Sequence, residues 1–417
     1  MKLNLKMLLC AGAVLVACGT RGDRIGVARS AIGPNWNGMI QGLPAARSHP
    51  AVCKLTETLM LFAAGYDSSN AATTTAYVYD LAADNWTTVG SLSTARGQAK
   101  GIESGTVTIG STVTNKCLAV GGRTAPPGSG SELNLVDEFQ LSALSPPAGS
   151  WTNKSNLNTA RYTHTVNKFG SSTFLVAGGV NGGTVQNTAE VYDPASGSGN
   201  SINLKETNGR AAHASMNHDD NTVLLSGGTT SIAAATNTAE VWLNSSGTVT
   251  QWTTQNTMTI ARKSHGSEAI SVTNPTETAI AIGGKDSNGN VLTSAEMYDS
   301  STWTAANPGT WTSANIGALN TGRFNFRIAQ TGTTNKLLIV SGIKSGNDTA
   351  LNAETWDGTT QTPWNFTGGN NLVNSRYAQG HAVYLAGGGG TAAAVVIAGG
   401  LNVNGGVTTT LSAAEKY

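Results

Sequence analysis

Charge is scarce in this chain. Of 417 residues only 12% are Asp, Glu, Lys or Arg, and the formal net charge is +1. So neutral a surface gives no electrostatic reason to expect nucleic acid or an acidic membrane as partner. Aromatics are few as well: seven phenylalanines stand against 51 glycines, a balance that fits many turns and thin strands rather than amphipathic helices. The sequence contains no Gly-x-Ser-x-Gly, no His-Glu-x-x-His and no phosphate-loop lysine behind a glycine run. On that ground no catalytic residue, resident metal or cofactor is expected.

Long apolar runs are also missing, with one exception at the start. Lys2 and Lys6 precede the run Met7 to Ala17, too short to span a bilayer but suited to a signal peptide. Its end, Leu15-Val16-Ala17-Cys18-Gly19, resembles a bacterial lipobox. That resemblance implies a signal peptide over 1–17 and lipid on Cys18. Gly19 after the cysteine further implies a lipid-anchored place in the cell envelope, at the outer membrane. Residues 18–34 show no sustained period and read as the lipidated cysteine with a flexible tether. The tripeptide Arg21-Gly22-Asp23 lies within it and is too short a match to carry function. Four cysteines are present. With Cys10 in the signal run and Cys18 lipidated, only Cys53 and Cys117 reach the folded, oxidising compartment. They form a disulfide or remain two separately buried thiols, since geometry decides.

What the chain has in quantity is repetition. An apolar run ending in glycine recurs as LFAAG, LAVGG, LVAGG, LLSGG, IAIGG, LIVSG and VIAGG, closing at Gly65, Gly122, Gly179, Gly228, Gly284, Gly342 and Gly400. The steps between them are 57, 57, 49, 56, 58 and 58 residues. Each run is followed by a polar loop and a second strand-like segment such as AEVYD at 189–193 or AETWD at 353–357. A tryptophan then follows in most copies (Trp86, Trp151, Trp252, Trp311, Trp364), and a short stretch ends in an arginine: Arg47, Arg96, Arg161, Arg210, Arg262, Arg323 or Arg376. A unit of this size cannot bury both faces of its own sheet, so the copies must stack on one another.

The glycine doublet, aromatic and tryptophan at a period near fifty residues resemble the kelch repeat, over everything from about Asn35 to Tyr417. The departures are local: Ala-Gly and Ser-Gly replace the doublet in repeats one and six, and repeat three lacks its tryptophan. The resemblance implies an all-β, seven-bladed β-propeller of four-stranded blades over 35–417. The chain stops at Tyr417 after three strands of the last copy, while Asn35-Trp36-Asn37 precedes the first arginine. The N-terminal strand is therefore expected to complete the last blade. Some kelch propellers are copper radical oxidases of the galactose oxidase kind and others are periplasmic sialic-acid epimerases. The likeness here is at repeat level and transfers neither activity.

The recurring residues read as framework. Tyr79, Tyr192, Trp242, Tyr298, Trp356 and Tyr417 supply buried area with a polar tip. The arginines recur with one glutamate per copy (Glu138, Glu190, Glu240, Glu296, Glu354, Glu415), as expected of a repeated ion pair; repeat one has Tyr77 there instead. His49, His164, His213, His265 and His381 sit within five residues after an arginine, on successive blades rather than converging on one ion. Variable loops remain for recognition, and they should emerge on one face. Asp67, Arg123, Asn181, Lys285, Asp286, Lys344 and Asn402 are the candidate ligand-face residues. The expectation is a binding or scaffolding lipoprotein that meets a protein or glycan through that face. The alternative is a carbohydrate-active enzyme using the arginines and histidines at the channel mouth. It requires Arg161, Arg210 and Arg262 to open into one cavity.

Overall fold

The computed structural model describes residues 39–417, apart from 220–221, 231–233, 246–247, 271–277, 300–308, 314–315, 331–335, 351, 358–365, 373, 380–382, 386–393 and 405–406. Cys18, Trp36, Trp364, His381 and the glycines at 387–390 lie outside the described residues.

All the regular structure described is β. Six four-stranded antiparallel sheets are each built from four strands in chain order. Setting aside the two-residue arms of the 180–185 hairpin, their first strands are Ala51–Lys54, Lys100–Ile109, Thr165–Phe169, Ala214–Asp219, Gly266–Ile270 and Arg327–Gln330. A further four-stranded sheet draws on both ends of the chain: Val383–Leu385, Ala394–Ala398 and Ala414–Lys416, with Met39–Ile40 at its edge. There Met39 stands opposite Glu415 and Ile40 opposite Ala414. The first strands touch one another in succession around a centre, and Val383–Leu385 touches Ala51–Lys54 again. This is a β-propeller arrangement of four-stranded blades.

Position within a blade decides the sequence of each strand. Second strands such as Leu59–Ala63, Thr222–Ser226 and Ala394–Ala398 are buried along their whole length, because neighbouring blades cover both faces. They are therefore continuous apolar runs rather than alternating ones. The fourth strand Asn85–Val89 lies outermost and buries Trp86 while exposing Asn85 and Thr88. Its tryptophan lies beside the aromatic of the third strand, with ring centroids 4.9 Å apart for Tyr79 and Trp86. The same pair recurs as Phe139 with Trp151 at 5.3 Å and Tyr298 with Trp311 at 5.2 Å. Cross-strand aromatic contacts of this kind fix the outer edge of each blade.

The glycines fix the inner end. The second glycine of the doublet has φ between 94° and 106° in every repeat, a conformation closed to residues with a Cβ. The first position sits near φ 60° and is Ala64 in repeat one and Ser341 in repeat six, at 61° and 62°. Those two departures from the doublet thus keep the same backbone path at a modest strain cost. The second glycine also makes the contact between blades. Its N–H donates to the carbonyl of the next repeat's arginine: Gly65 to Arg96 at 2.8 Å, Gly122 to Arg161 at 3.0 Å, Gly179 to Arg210 at 2.9 Å and Gly228 to Arg262 at 2.8 Å. Gly284 to Arg323 and Gly342 to Arg376 follow at 2.8 Å each, and Gly400 returns to Arg47 at 2.6 Å.

Cys53 and Cys117 form a disulfide, with 6.1 Å between their Cα atoms. It joins the first strand of one blade to the second strand of the next.

A Cβ on Gly179 would lie 2.7 Å from the Tyr162 carbonyl oxygen and 3.0 Å from the His164 Cβ. Gly179→Ala is therefore expected to cost about 3 kcal/mol or more. A denaturant midpoint unchanged from the parent chain would contradict this account of the junction.

Candidate functional site

The loops after the glycine doublets gather at the end of the propeller where the innermost strands begin. The residue after each doublet, or after its second glycine, forms a β-bridge to the residue following the arginine of the same repeat: Ser48 to Tyr66, Gly97 to Arg123, Tyr162 to Val180 and Ala211 to Thr229. Lys263 to Lys285, Phe324 to Ile343 and Tyr377 to Leu401 repeat the pattern. Several loops bridge a second time across their own base, as Arg123 does to Glu132 and Lys285 to Val291, so each is a small pinned hairpin.

The repeated arginines lie beneath these loops and are fully enclosed. Arg161 donates from Nη1 to the Gly178 carbonyl at 2.7 Å and the Thr188 carbonyl at 3.0 Å, and its Nη2 pairs with Glu190 at 2.7 Å. Arg262 makes the same set with Gly283, Ser294 and Glu296, and Arg323 with Ser341, Asn352 and Glu354. Arg210 pairs with Glu240 through Nε, and Arg376 with Glu415. The guanidinium thus ties the last turn of the second strand to the first residues of the third. Its glutamate also accepts from backbone N–H groups on the approach to that arginine, such as Asn158 and Thr159 on Glu190. Every charge here is buried but bonded, the condition under which such a pair is tolerated.

Two repeats depart. Arg96 pairs with Asp137, not with Glu138. The expected alignment at this copy is shifted by one residue: Phe139, opposite Cys117, holds the place of Tyr192, and Asp137 that of Glu190. A shift of one turns a strand residue to the other face, and there Glu138 meets Lys154 at 3.0 Å, Lys116 at 3.9 Å and the Ser104 hydroxyl at 2.8 Å. Arg47 has no carboxylate among the described residues. It donates to the Thr75 hydroxyl at 2.7 Å and reaches the Tyr77 hydroxyl at 3.5 Å.

The histidines separate into two groups. His164, His213 and His265 stand three residues after their arginines and are buried. Each ring lies against the preceding blade's first glycine: a Cβ on Gly121, Gly178 or Gly227 would fall within 2.9 Å of a ring carbon. His213 Nε2 lies 2.9 Å from the Thr165 hydroxyl, and His265 Nε2 lies 3.1 Å from that of Ser226. Burial drives all three well below the ordinary value of 6.5, with Lys100, Arg161, Arg210 and Arg262 adding to the effect on one or another. Among the described residues no cluster of three His, Cys, Asp or Glu side chains could hold a metal. His49 differs in standing two residues after its arginine. Burial first, then Arg327 and Lys100, bring it down to about 4.

His49 belongs to an annulus. The residues two after each arginine are His49, Gln98, Thr163, Ala212, Ser264, Asn325 and Ala378, all with φ between 49° and 59°. Backbone N–H groups link neighbours around it: Gln98 to His49, Ala212 to Thr163, Ser264 to Ala212, Asn325 to Ser264 and His49 to Ala378. The annulus encircles a cavity of about 350 Å³ whose wall also includes Lys100, Arg327 and Tyr377. Farther along the channel a second cavity, about 620 Å³, is lined in part by Lys54, Glu103, Lys168 and Glu268.

The sequence-predicted ligand-face residues share the loop-bearing end, but most serve their own loops. The Asp67 carboxylate accepts from the Ser69 and Ala71 N–H groups, and Asp286 from those of Asn288 and Asn290, which hold its carboxyl below the usual range. Arg123 is buried, bonded to the Ser129 carbonyl, 3.4 Å from Glu132 and 4.5 Å from the centroid of the Tyr162 ring. The Asn402 amide donates to Ser375, and Asn181 sits in the short strand Val180–Asn181. Lys285 lies over the Phe324 ring at 4.0 Å and stays partly open to solvent, while Lys344 is exposed. Sequence reasoning missed Lys100 and Arg327. Both stand four residues after their repeat arginine, where other copies have Ala51, Thr165, Ala214 or Gly266. Aligning that one column would have exposed them.

Fold and site together define a β-propeller with four-stranded blades and pinned loops around one channel mouth. No protein-family model matches the chain, and no curated protein does. Among solved structures it is similar to that of YjhT, with a TM-score of 0.54 and 16% identity, over 80% of this chain and 100% of that one. At that identity the likeness concerns the fold.

The buried histidines make a measurable demand. Each is neutral in the fold but takes a proton in the unfolded chain below about 6.5, so stability is full at neutral pH and falls as the pH drops below that value. The slope is about 1.4 kcal/mol per pH unit for each ring. Gln379 already fills the equivalent place in the last repeat. Replacing His164, His213 and His265 together by Gln should flatten the loss between pH 6.5 and 5, read by urea denaturation. Equal slopes in parent and variant would reject the assignment.

Proposed function

We propose that this chain is a binding or scaffolding protein of the bacterial cell envelope, a kelch-type propeller that recognises a protein or glycan through its loop face. The observation that carries the reading is the enclosure of the repeat arginines. Arg161, Arg210 and Arg262 are closed over by loop bases and tied to glutamates, so an enzyme built on them has no access to substrate. Side chains that vary between copies are left for recognition, such as those at 68–70, 127–131 and 344–347, which are exposed.

In this reading the ring has seven blades and the N-terminal strand closes it. The pairing of Met39–Ile40 with Ala414–Lys416 and the bond from Gly400 to Arg47 support that closure. An oxidising compartment agrees with the bond between Cys53 and Cys117. Lipid on Cys18 then holds the propeller at the outer membrane through the tether, and the membrane is engaged through the anchor alone.

Two experiments test this. Metabolic labelling with a fatty-acid probe should mark the parent chain and leave Cys18→Ala unlabelled; a labelled variant rules out the anchor. Capture from envelope extract and on a glycan array should change when the 180–187 and 343–352 loops are exchanged for each other, with the melting temperature kept. Identical capture by both forms removes the loop face as the recognition surface.

A further inference from the structure

Two cations at the channel mouth have no counterion among the described residues. Lys100 and Arg327 each open an innermost strand, at a place that Ala51, Ala214 and Gly266 keep small in other blades. They reach into the same cavity of about 350 Å³. Protein surrounds both on all sides, yet each keeps accessible surface because it lines the channel.

Their partners are few. Arg327 donates from Nη1 to the Phe326 carbonyl at 2.9 Å, and its Nε is buried without a partner. No described carboxylate lies in ion-pair range of either side chain, and the acids of the channel, Glu103 and Glu268, line the other cavity. The wall around the two cations is neutral, made of His49, Gln98, Thr163, Ser264, Asn325 and Tyr377. Burial, followed by Arg327 itself, brings Lys100 down to about 8, and burial brings Arg327 down to about 10. No acid pulls either value back up.

Elsewhere this protein spends a glutamate or aspartate on six of its seven repeat arginines. Leaving two enclosed cations uncompensated is costly unless something else supplies the negative charge. The annulus above them is strained as well. Thr163, a β-branched residue, is held at φ 52°, and strain of this sort concentrates at ligand sites.

The geometry points to a binding site for a small oxyanion, a carboxylate or phosphate, held between the Lys100 ammonium and the Arg327 guanidinium at the channel mouth. The guanidinium supplies a planar fork for two oxygens and the ammonium a movable point charge. Hydroxyl and amide groups of Ser264, Asn325 and Gln98 line the same space for the remainder of the ligand. The volume suits a small molecule and excludes a folded partner, so this site stands apart from recognition by the outer loops.

Isothermal titration of the full chain with inorganic phosphate and, separately, with citrate tests it at pH 7 and low ionic strength. Saturable binding of at least one of them at one site per chain is expected, and which of the two binds distinguishes phosphate from carboxylate. Lys100→Ala and Arg327→Ala should each weaken it tenfold or more, and the double variant should abolish it. Lys344→Ala, on the outer loop, should leave it intact. Removing an uncompensated charge should not lower the melting temperature, so binding lost with the melting temperature kept supports the site. Absence of binding by both anions, or binding that survives the double variant, overturns it.

Discussion

One hydrogen bond per junction organises this molecule: the N–H of a glycine at φ near 100° donating to the carbonyl of the next repeat's arginine. The glycine is required twice over, for its dihedral and for the closeness of the neighbouring backbone. Because the acceptor is the carbonyl of the arginine, that residue must be held in place, and its side chain does the holding. The guanidinium bonds back to the carbonyls at the base of its own blade's loop, and the carboxylate completes the set. Blade-to-blade contact and loop anchorage are therefore one network. The next residue forms the bridge that pins the loop, and the one after it belongs to the annulus.

Much of this was legible in the sequence because repetition averages out accident. Seven glycine-ended runs have to be blade strands, and the pairing of one arginine with one acid per copy follows from the cost of a lone buried charge. Even the exception at Tyr77 was visible. Legibility failed where a single copy had to be aligned on its own. In VDEF, at 136–139, two adjacent acids compete for one place, and only strand register shows that Asp137 faces Arg96. For the candidate ligand residues, a place in a loop says little about what a polar side chain bonds. Asp67 and Asp286 are polar residues in loops, but short loops use such side chains to bond their own N–H groups. Lys100 and Arg327 stayed hidden because attention to recurring residues passes over the column that breaks its own pattern.

The charges of the molecule fall into two regimes. In the framework each repeat arginine meets a carboxylate or, at Arg47, hydroxyl oxygens. In the channel the side chains are left as they are: His49 brought down to about 4 chiefly by burial, two cations facing a neutral wall, and Glu268 pushed up to about 7 by burial. A chain with a net charge of +1 thus gathers two cations, with no acid in the same lining, at its channel mouth. Composition averages could not reveal it.

The seam where the two ends of the chain meet has a mechanical meaning. Met39 and Ile40 pair with Glu415 and Ala414 at the edge of their sheet. Tension applied from the N-terminal side would load that edge pairing first, peeling the strand from its sheet. The Gly400 to Arg47 bond lies beyond it, and past that the covalent staple between Cys53 and Cys117 stands at the neighbouring junction. Pulled in this way, the chain would yield that edge strand before the sheets joined by the disulfide came under load.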